Sequence, residues 1–140
     1  MESFIYADLN RVCRDKDRSK IKYYGAFAAA LSFFLDNANK NLKTNAGSNK
    51  KILYRGIKIS PHDADFSFTV GDTVNLTGYT STSKQFECAL EFALQECKAE
   101  KVPVVLQIQF MERHGYFELA GEFTAYPEEE EVLIQDGLQY

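Results

Sequence analysis

The acidic run that leads into an apolar segment, Glu129-Glu130-Glu131-Val132-Leu133-Ile134, constrains the fold of this chain more than any other stretch. In a β-strand, residues i and i+2 point to the same face about 7 Å apart, so a strand through this run would set Glu129 beside Glu131. Two carboxylates on one half-buried face repel each other and lose solvation, which is typical of functional sites. A solvated acidic loop that merely precedes a strand is the alternative interpretation.

A second strand is predicted over Lys51–Ile59, because this segment is rich in β-branched and aromatic residues and ends at Ser60-Pro61. Alternation sets Arg55 among apolar side chains, where its charge requires an anionic partner. That partner is either an internal carboxylate or the phosphates of a ligand, which suit the planar guanidinium fork. Gly56 would allow close approach of a ligand to the backbone.

A run of hydroxyl side chains, Thr80-Ser81-Thr82-Ser83, precedes a helical pattern. Thr82 with Gln85 three residues later resembles a capping box, so the run could simply begin a helix. Alternatively, a strand here would bring four hydroxyl groups to one place. The run by itself does not decide between these interpretations.

Taken in order, Leu-Tyr-Arg-Gly, Gly-Tyr-Thr-Ser-Thr-Ser and Glu-x-Glu-Val-Leu-Ile resemble the arginine, Ser-Thr-Ser and Glu-x-Glu motifs of the mono-ADP-ribosyltransferases. The matching branch contains the clostridial-type toxins and the animal arginine-specific enzymes. Arg55 excludes the diphtheria-like branch, which has histidine in the first motif. The resemblance covers roughly Tyr23 to the C-terminus, and it implies an α+β fold with two antiparallel sheets packed nearly at right angles around an NAD cleft, flanked by helices.

The resemblance also implies that the protein cleaves NAD and transfers ADP-ribose to a protein arginine, releasing nicotinamide. Glu131 matches the catalytic glutamate, which would stabilise an oxocarbenium-like transition state. Ser81 would orient that glutamate, and Arg55 would hold the diphosphate or the neighbouring ribose. Glu129 would receive the acceptor, and a glutamate rather than a glutamine at this position indicates arginine as the target.

Further positions follow from the same resemblance. Contacts to NAD are also expected from Gly56, Thr82, Ser83 and Phe92. Phe92 would stack on nicotinamide, with core packing as the alternative role. The loop from 120 to 128 would recognise the acceptor through Phe123 and Tyr126. Few residues precede Arg55, so adenosine contacts are either reduced or supplied by a part that is not in this chain.

Charge and composition fit these expectations. Residues 1–60 carry 12 basic and 5 acidic side chains, whereas residues 61–140 carry 4 and 15. An anionic dinucleotide held by the basic half and a cationic acceptor facing the acidic half would be electrostatically favourable. The basic residues are not interleaved with aromatic residues, so we expect no nucleic-acid binding.

Other features narrow the class of protein. The 140 residues predict a single domain, with residues 1–20 a short helix or a flexible start. No apolar run is long enough to span a membrane and no signal peptide is recognisable, so a cytoplasmic monomer without membrane contact is expected. Three cysteines without metal-like spacing, and His62 and His114 far apart, predict no metal site.

Periodicity predicts helices over 21–42 and 84–98 and strands near 51–59, 66–70, 74–81, 102–110, 115–119 and 130–136. The first helix would bury Tyr24, Phe27, Leu31, Phe34, Leu35, Ala38 and Leu42. The second would bury Phe86, Ala89, Leu90, Ala93, Leu94 and Cys97. This succession is an α+β pattern.

Three alternatives to a transferase remain at this point. An NAD glycohydrolase, which passes the ribose to water, would use the same residues. A non-catalytic NAD-binding module could retain the fold, and an interaction domain would need none of the three motifs.

Overall fold

Two helices precede the sheet and a third lies between its strands. The computed structural model describes residues 4–38, 51–62, 69–73, 76–95, 100–110, 116–119, 124 and 126–135. The helices are α1 (Phe4–Asp15), α2 (Ile21–Ala38) and α3 (Phe86–Leu94), with 3₁₀ turns at Arg18–Lys20 and Pro127–Glu129. The strands are β1 (Lys51–Ile59), β2 (Thr80–Ser83), β3 (Val102–Phe110), β4 (Tyr116–Glu118) and β5 (Glu131–Ile134).

The described strands form one antiparallel sheet in the order β3-β1-β2-β5-β4. β1 pairs with β3 along its whole length, from Lys51 opposite Phe110 to Ile59 opposite Val102. β1 and β2 are joined by one pair of residues, Tyr54 opposite Ser83. This narrow junction separates β3-β1 from β2-β5-β4 and brings the arginine strand against the hydroxyl-rich strand. The expected α+β class is confirmed.

β5 is buried on both faces, which explains the apolar run of Val132, Leu133 and Ile134 after Glu131. Val132 and Ile134 join one core, which also contains Leu53 and Ile108. Leu133 points to the opposite face and joins a second core. That core is completed by Leu9 of α1, Leu35 of α2 and Tyr79. The two N-terminal helices therefore support the sheet directly behind β5.

The predicted buried face of α2 is only partly correct. Leu35 is fully buried, but Phe27 and Phe34 remain about half exposed. The ring of Phe34 meets Phe117 edge-on, with the centroids 5.0 Å apart. Helical periodicity therefore located the face but overestimated its width. The predicted continuation from 39 to 42 lies outside the described residues.

The predicted second helix is shorter, and only the small residues of its predicted buried face are buried. It begins at Phe86, and it buries Ala89 and Ala93 while Phe86, Leu90 and Leu94 stay exposed. The cause is a close approach of α3 to β1: a Cβ atom added at Gly56 would lie 2.0 Å from the Ala89 carbonyl oxygen. Small residues on both elements permit this contact. The predicted burial of Cys97 falls outside the described residues.

The strand predictions differ in accuracy. β1 and β3 have the predicted bounds, and β4 and β5 are shorter than predicted. A strand was predicted from 74 to 81, but β2 begins only at Thr80. Gly78, two residues earlier, has a positive φ of 86°. Thr82 lies within β2, and Gln85 precedes α3 without a side-chain cap, so the capping-box interpretation is wrong. Most of the predicted strand at 66–70 falls outside the described residues, and Thr69 and Val70 are not in a strand.

No helix among the residues that the structure describes is both long and apolar enough to span a membrane.

Candidate active site

A cavity of about 440 Å³ opens where β1, β2 and β5 meet α3. All three sequence motifs reach its wall. The described lining consists of Tyr54, Arg55, Gly56, Ser81, Thr82, Ser83, Cys88, Ala89, Glu91, Phe92, Gln95, Glu128, Glu129 and Glu131. The fold therefore brings together segments that are far apart in the chain.

A serine and a glutamate are hydrogen-bonded to each other in this cavity. β2 and β5 pair so that Ser83 lies opposite Glu131, which places Ser81, Ser83 and Glu131 on one face. The Ser81 hydroxyl donates a hydrogen bond of 2.5 Å to Oε1 of Glu131. Glu131 is only 6% exposed. Its carboxylate is therefore held in one orientation in a sheltered place, where its field acts strongly on a nearby positive charge.

The arginine of β1 reaches the same point. Nη1 of Arg55 donates to the backbone carbonyl of Ser81 over 3.1 Å. The sequence offered a carboxylate or a ligand phosphate as its partner, whereas this contact is to a main-chain oxygen. The bond sets a guanidinium beside the Ser81–Glu131 pair, at a position where it can meet an anionic ligand.

The other hydroxyl groups of β2 bond to the backbone around the acidic turn. Ser83 Oγ donates to the Glu129 carbonyl over 2.6 Å and accepts from the amide of Gln85 over 2.9 Å. Thr82 Oγ1 donates to the Val132 carbonyl over 2.7 Å. Both residues line the cavity. These bonds fix β2 against β5 and the turn before it; the expected contacts of Thr82 and Ser83 with a nucleotide remain predictions.

The predicted side-by-side placement of the two acids on a strand is wrong. Glu129 ends the 3₁₀ turn that begins at Pro127, and Glu130 follows in a left-handed conformation with φ of 44°. The strand therefore begins at Glu131. The proline favours the turn, and the left-handed residue breaks the alternation on which the prediction depended. Glu129 and Glu131 still both line the cavity, from the turn and from the strand.

Phe92 lies at the cavity and not in the core. It is 59% exposed, and the ammonium of Lys58 lies 5.4 Å from its ring centroid. Core packing, the alternative role, is therefore excluded, while stacking on nicotinamide remains a prediction. Tyr126 is half exposed beside the acidic turn. Phe123 falls outside the described residues.

Gly56 serves the packing of α3, although it also lines the cavity. The space that a side chain would need there is occupied by the α3 backbone. The structure thus gives this glycine a reason that the sequence did not show, the close approach of a helix. Contact of Gly56 with a ligand remains a prediction.

A buried tyrosine that sequence reasoning did not single out anchors the serine strand. Tyr79 is 2% exposed, and its hydroxyl donates to the Ala28 carbonyl over 2.8 Å and lies 2.7 Å from Ser32 Oγ. Asn10 of α1 donates to the Tyr79 carbonyl over 2.9 Å. Both N-terminal helices thus hold the backbone two residues before Ser81. The only signal in the sequence is an aromatic residue directly before the hydroxyl run.

An ion-pair network holds the opposite edge of the site. Glu118 of β4 pairs with Lys51 and, over 2.6 Å, with Lys84, the residue after Ser83. Burial acts to raise the pKa of Glu118, but the bonds from the two lysines outweigh it and leave that pKa below its usual value. The amide of Leu119 also donates to the Glu131 carbonyl over 2.8 Å. These contacts fix both strands that flank Glu131.

Comparison with known proteins gives the same fold. The family model for NAD:arginine ADP-ribosyltransferases matches residues 1–140. No curated protein matches the chain significantly. Among solved structures, the ADP-ribosyltransferase Vis in complex with agmatine is 22% identical with a TM-score of 0.68, over 97% of this chain and 60% of that chain.

Two further structures of the same protein agree. Vis with the inhibitor M6 is 23% identical with a TM-score of 0.67, over 96% of this chain and 58% of its own. Vis described as a toxin from Vibrio splendidus is 22% identical with a TM-score of 0.65, over 97% and 58%. The chain therefore spans about three fifths of the length of these structures.

Proposed function

Since this chain belongs to the NAD:arginine ADP-ribosyltransferase family, we propose that it cleaves NAD at the nicotinamide–ribose bond and transfers ADP-ribose to an arginine of a protein. The observation that carries the proposal is the sheltered carboxylate of Glu131, held by the Ser81 hydroxyl at 2.5 Å beside the guanidinium of Arg55. A fixed negative charge and a fixed positive charge in one cavity suit a co-substrate that develops a positive sugar and carries negative phosphates.

Glu131 stabilises the sugar as the bond to nicotinamide breaks. The C–N bond cleaves, nicotinamide leaves with the electron pair, and the ribose acquires oxocarbenium character. The Glu131 carboxylate, already oriented by Ser81, faces this charge without having to reorganise. Because the interaction is strongest in the transition state, it accelerates the reaction more than it tightens the binding of NAD.

Arg55 orients the co-substrate. Its guanidinium is fixed by the Ser81 carbonyl, next to the catalytic pair. A guanidinium binds phosphate through two parallel N–H bonds, so it sets orientation as well as position. The ribose is thereby held against Glu131.

Glu129 receives the acceptor arginine. Its backbone is fixed by Ser83 and its side chain is half-buried at the cavity wall. A resting guanidinium is protonated and a poor nucleophile. A carboxylate at this position orients it and accepts a proton as its nitrogen attacks the anomeric carbon. The solved complex of the related fold with agmatine, itself a small guanidine, supports an acceptor of this class.

The test is to incubate the protein with NAD labelled in the adenylate part and with agmatine or a mixture of proteins. Release of nicotinamide together with label on the guanidine is the expected result. Release without any labelled acceptor would identify an NAD glycohydrolase instead. Binding of NAD without release would identify a non-catalytic module.

A further inference from the structure

The described wall of the cavity is poor in positive charge for a site that takes a dinucleotide. It contains four carboxylates, Glu91, Glu128, Glu129 and Glu131, and Arg55 is the single cation among its described residues. The diphosphate of NAD carries two negative charges. One guanidinium next to the reacting ribose leaves part of the diphosphate without a counter-charge among these residues, so a second cation at the rim would strengthen the binding of NAD.

Lys58 of β1 lies at such a position. It follows Gly56 by two residues, so it shares a strand face with Tyr54 and Gly56, which both line the cavity. Its ammonium is 5.4 Å from the ring centroid of Phe92, which reaches the cavity from α3. The ammonium is thus at the edge of the cavity, beside Phe92.

Lys58 also differs from the lysines that support the fold. Lys51 and Lys84 are paired with Glu118, whereas Lys58 has no carboxylate partner within the described ranges. Within the described ranges, its ammonium contacts the ring of Phe92. A cation over an exposed ring is weakly held and keeps its three N–H donors available for an anion.

We propose that Lys58 binds the phosphate on the adenosine side of the NAD diphosphate, with Phe92 as the surface that directs its ammonium. In this arrangement Phe92 serves the phosphate in place of stacking on nicotinamide. Arg55 is fixed beside Ser81 and so serves the nicotinamide side. Lys58 lies three residues further along β1, with its Cα about 10 Å from that of Arg55. Its long side chain meets the cavity on the side of Phe92, whereas that of Arg55 meets it at Ser81. This inference rests on the proposal that the cavity takes NAD, and it adds the residue that grips the other half of the molecule.

The experiment measures the affinities of NAD, ADP-ribose and nicotinamide mononucleotide for the wild type and for Lys58→Gln at low and moderate salt. The variant is expected to bind NAD and ADP-ribose about two- to fivefold more weakly, which is the effect of one partly exposed charge contact. Nicotinamide mononucleotide lacks the adenosine-side phosphate, so its affinity is expected to stay unchanged. The salt dependence of NAD binding is expected to fall in the variant, because an ionic contact has been lost.

Matched variants separate this role from a general effect. Lys22→Gln removes an exposed lysine whose ammonium likewise lies over an aromatic ring, 4.8 Å from the Tyr23 centroid on α2. This variant should leave all three affinities unchanged. Lys58→Arg keeps the charge and should bind nearly as the wild type does. Thermal melting of each variant confirms that the protein is folded.

Two results overturn the inference while leaving the proposed function intact: unchanged NAD affinity in Lys58→Gln, or equal losses for NAD and nicotinamide mononucleotide. A wild type that does not bind NAD overturns the proposed function itself, and this is visible before any variant is measured.

Discussion

Replacing Glu131 by glutamine removes one charge from the site and changes almost nothing else. The side chain is buried and accepts its bond from Ser81 through Oε1. The amide oxygen of glutamine can accept the same bond, so the size, orientation and packing of the side chain are retained. The variant therefore isolates the contribution of the negative charge.

The magnitude follows from electrostatics. A carboxylate about 4 Å from an oxocarbenium-like sugar, at an effective dielectric constant of about 20, contributes about 4 kcal/mol. This corresponds to a loss of roughly 10³-fold in the rate of nicotinamide release. The affinity for NAD should change by no more than a few-fold, because the sugar carries little of this charge before the bond breaks.

The assay is single-turnover release of nicotinamide at saturating NAD, paired with calorimetric titration of NAD. Glu128→Gln is the matched control, since it removes an exposed carboxylate from the same cavity wall and should release nicotinamide at nearly the wild-type rate. A Glu131→Gln variant within tenfold of the wild-type rate would refute the assignment of Glu131.

Three more changes test other parts of the structure. Arg55→Lys keeps the charge but loses the planar fork of the guanidinium, so NAD should bind at least several-fold more weakly in calorimetry while the melting temperature stays near that of the wild type. A lower melting temperature with unchanged NAD affinity would make Arg55 a structural residue. Gly56→Ala places a Cβ 2.0 Å from the Ala89 carbonyl oxygen and should destabilise the protein by about 1–3 kcal/mol or more in urea unfolding, and an unchanged midpoint would contradict the described packing of α3. Glu118→Gln should lower the melting temperature at neutral pH. Because the pKa of Glu118 is lowered in the folded state, the difference in stability from the wild type should hold above the ordinary pKa of 4.5 and vanish as the pH falls through the folded-state pKa. A difference that persists at pH 2 would exclude the ion pairs as its cause.

Local sequence predicted some elements well because their signals are local. The β-branched and aromatic content of 51–59 and the alternation of 102–110 gave strands with the observed bounds. The start of β5 could not be predicted in this way. It is set by the turn at Pro127 and the left-handed Glu130. Proline indicates a turn, but a run of four glutamates does not show which of them is left-handed or where the strand begins.

The packing of α3 illustrates a different limit. Periodicity assigned its large apolar residues to the core, but the contact with β1 is made through Ala89, Ala93 and Gly56. Which face of a helix is buried depends on what the opposing strand can accommodate, and this is a tertiary property. Phe92 was not on the predicted buried face, and it lies exposed at the cavity wall.

The motif resemblance identified the site residues, and the fold shows which of them are in contact. The order of the three motifs predicted that Arg55, Ser81 and Glu131 share one site, and all three line the cavity. The bond from Arg55 to the Ser81 carbonyl involves no side-chain acceptor, so the sequence carries no signal for it. The same holds for Lys58, which is recognisable only by its position against Phe92.

The most direct test of the proposed chemistry measures nicotinamide release and labelling of a guanidine acceptor on one sample of Glu129→Gln. If Glu131 serves the sugar and Glu129 the acceptor, release of nicotinamide should stay within a few-fold of the wild type, whereas labelling of the acceptor should fall by about 10²-fold. Both steps use the same bound NAD, so a folding defect would reduce them together, and a melting curve identifies it. A parallel fall of both activities in the folded variant would place Glu129 in the NAD site and remove the basis for arginine as the acceptor.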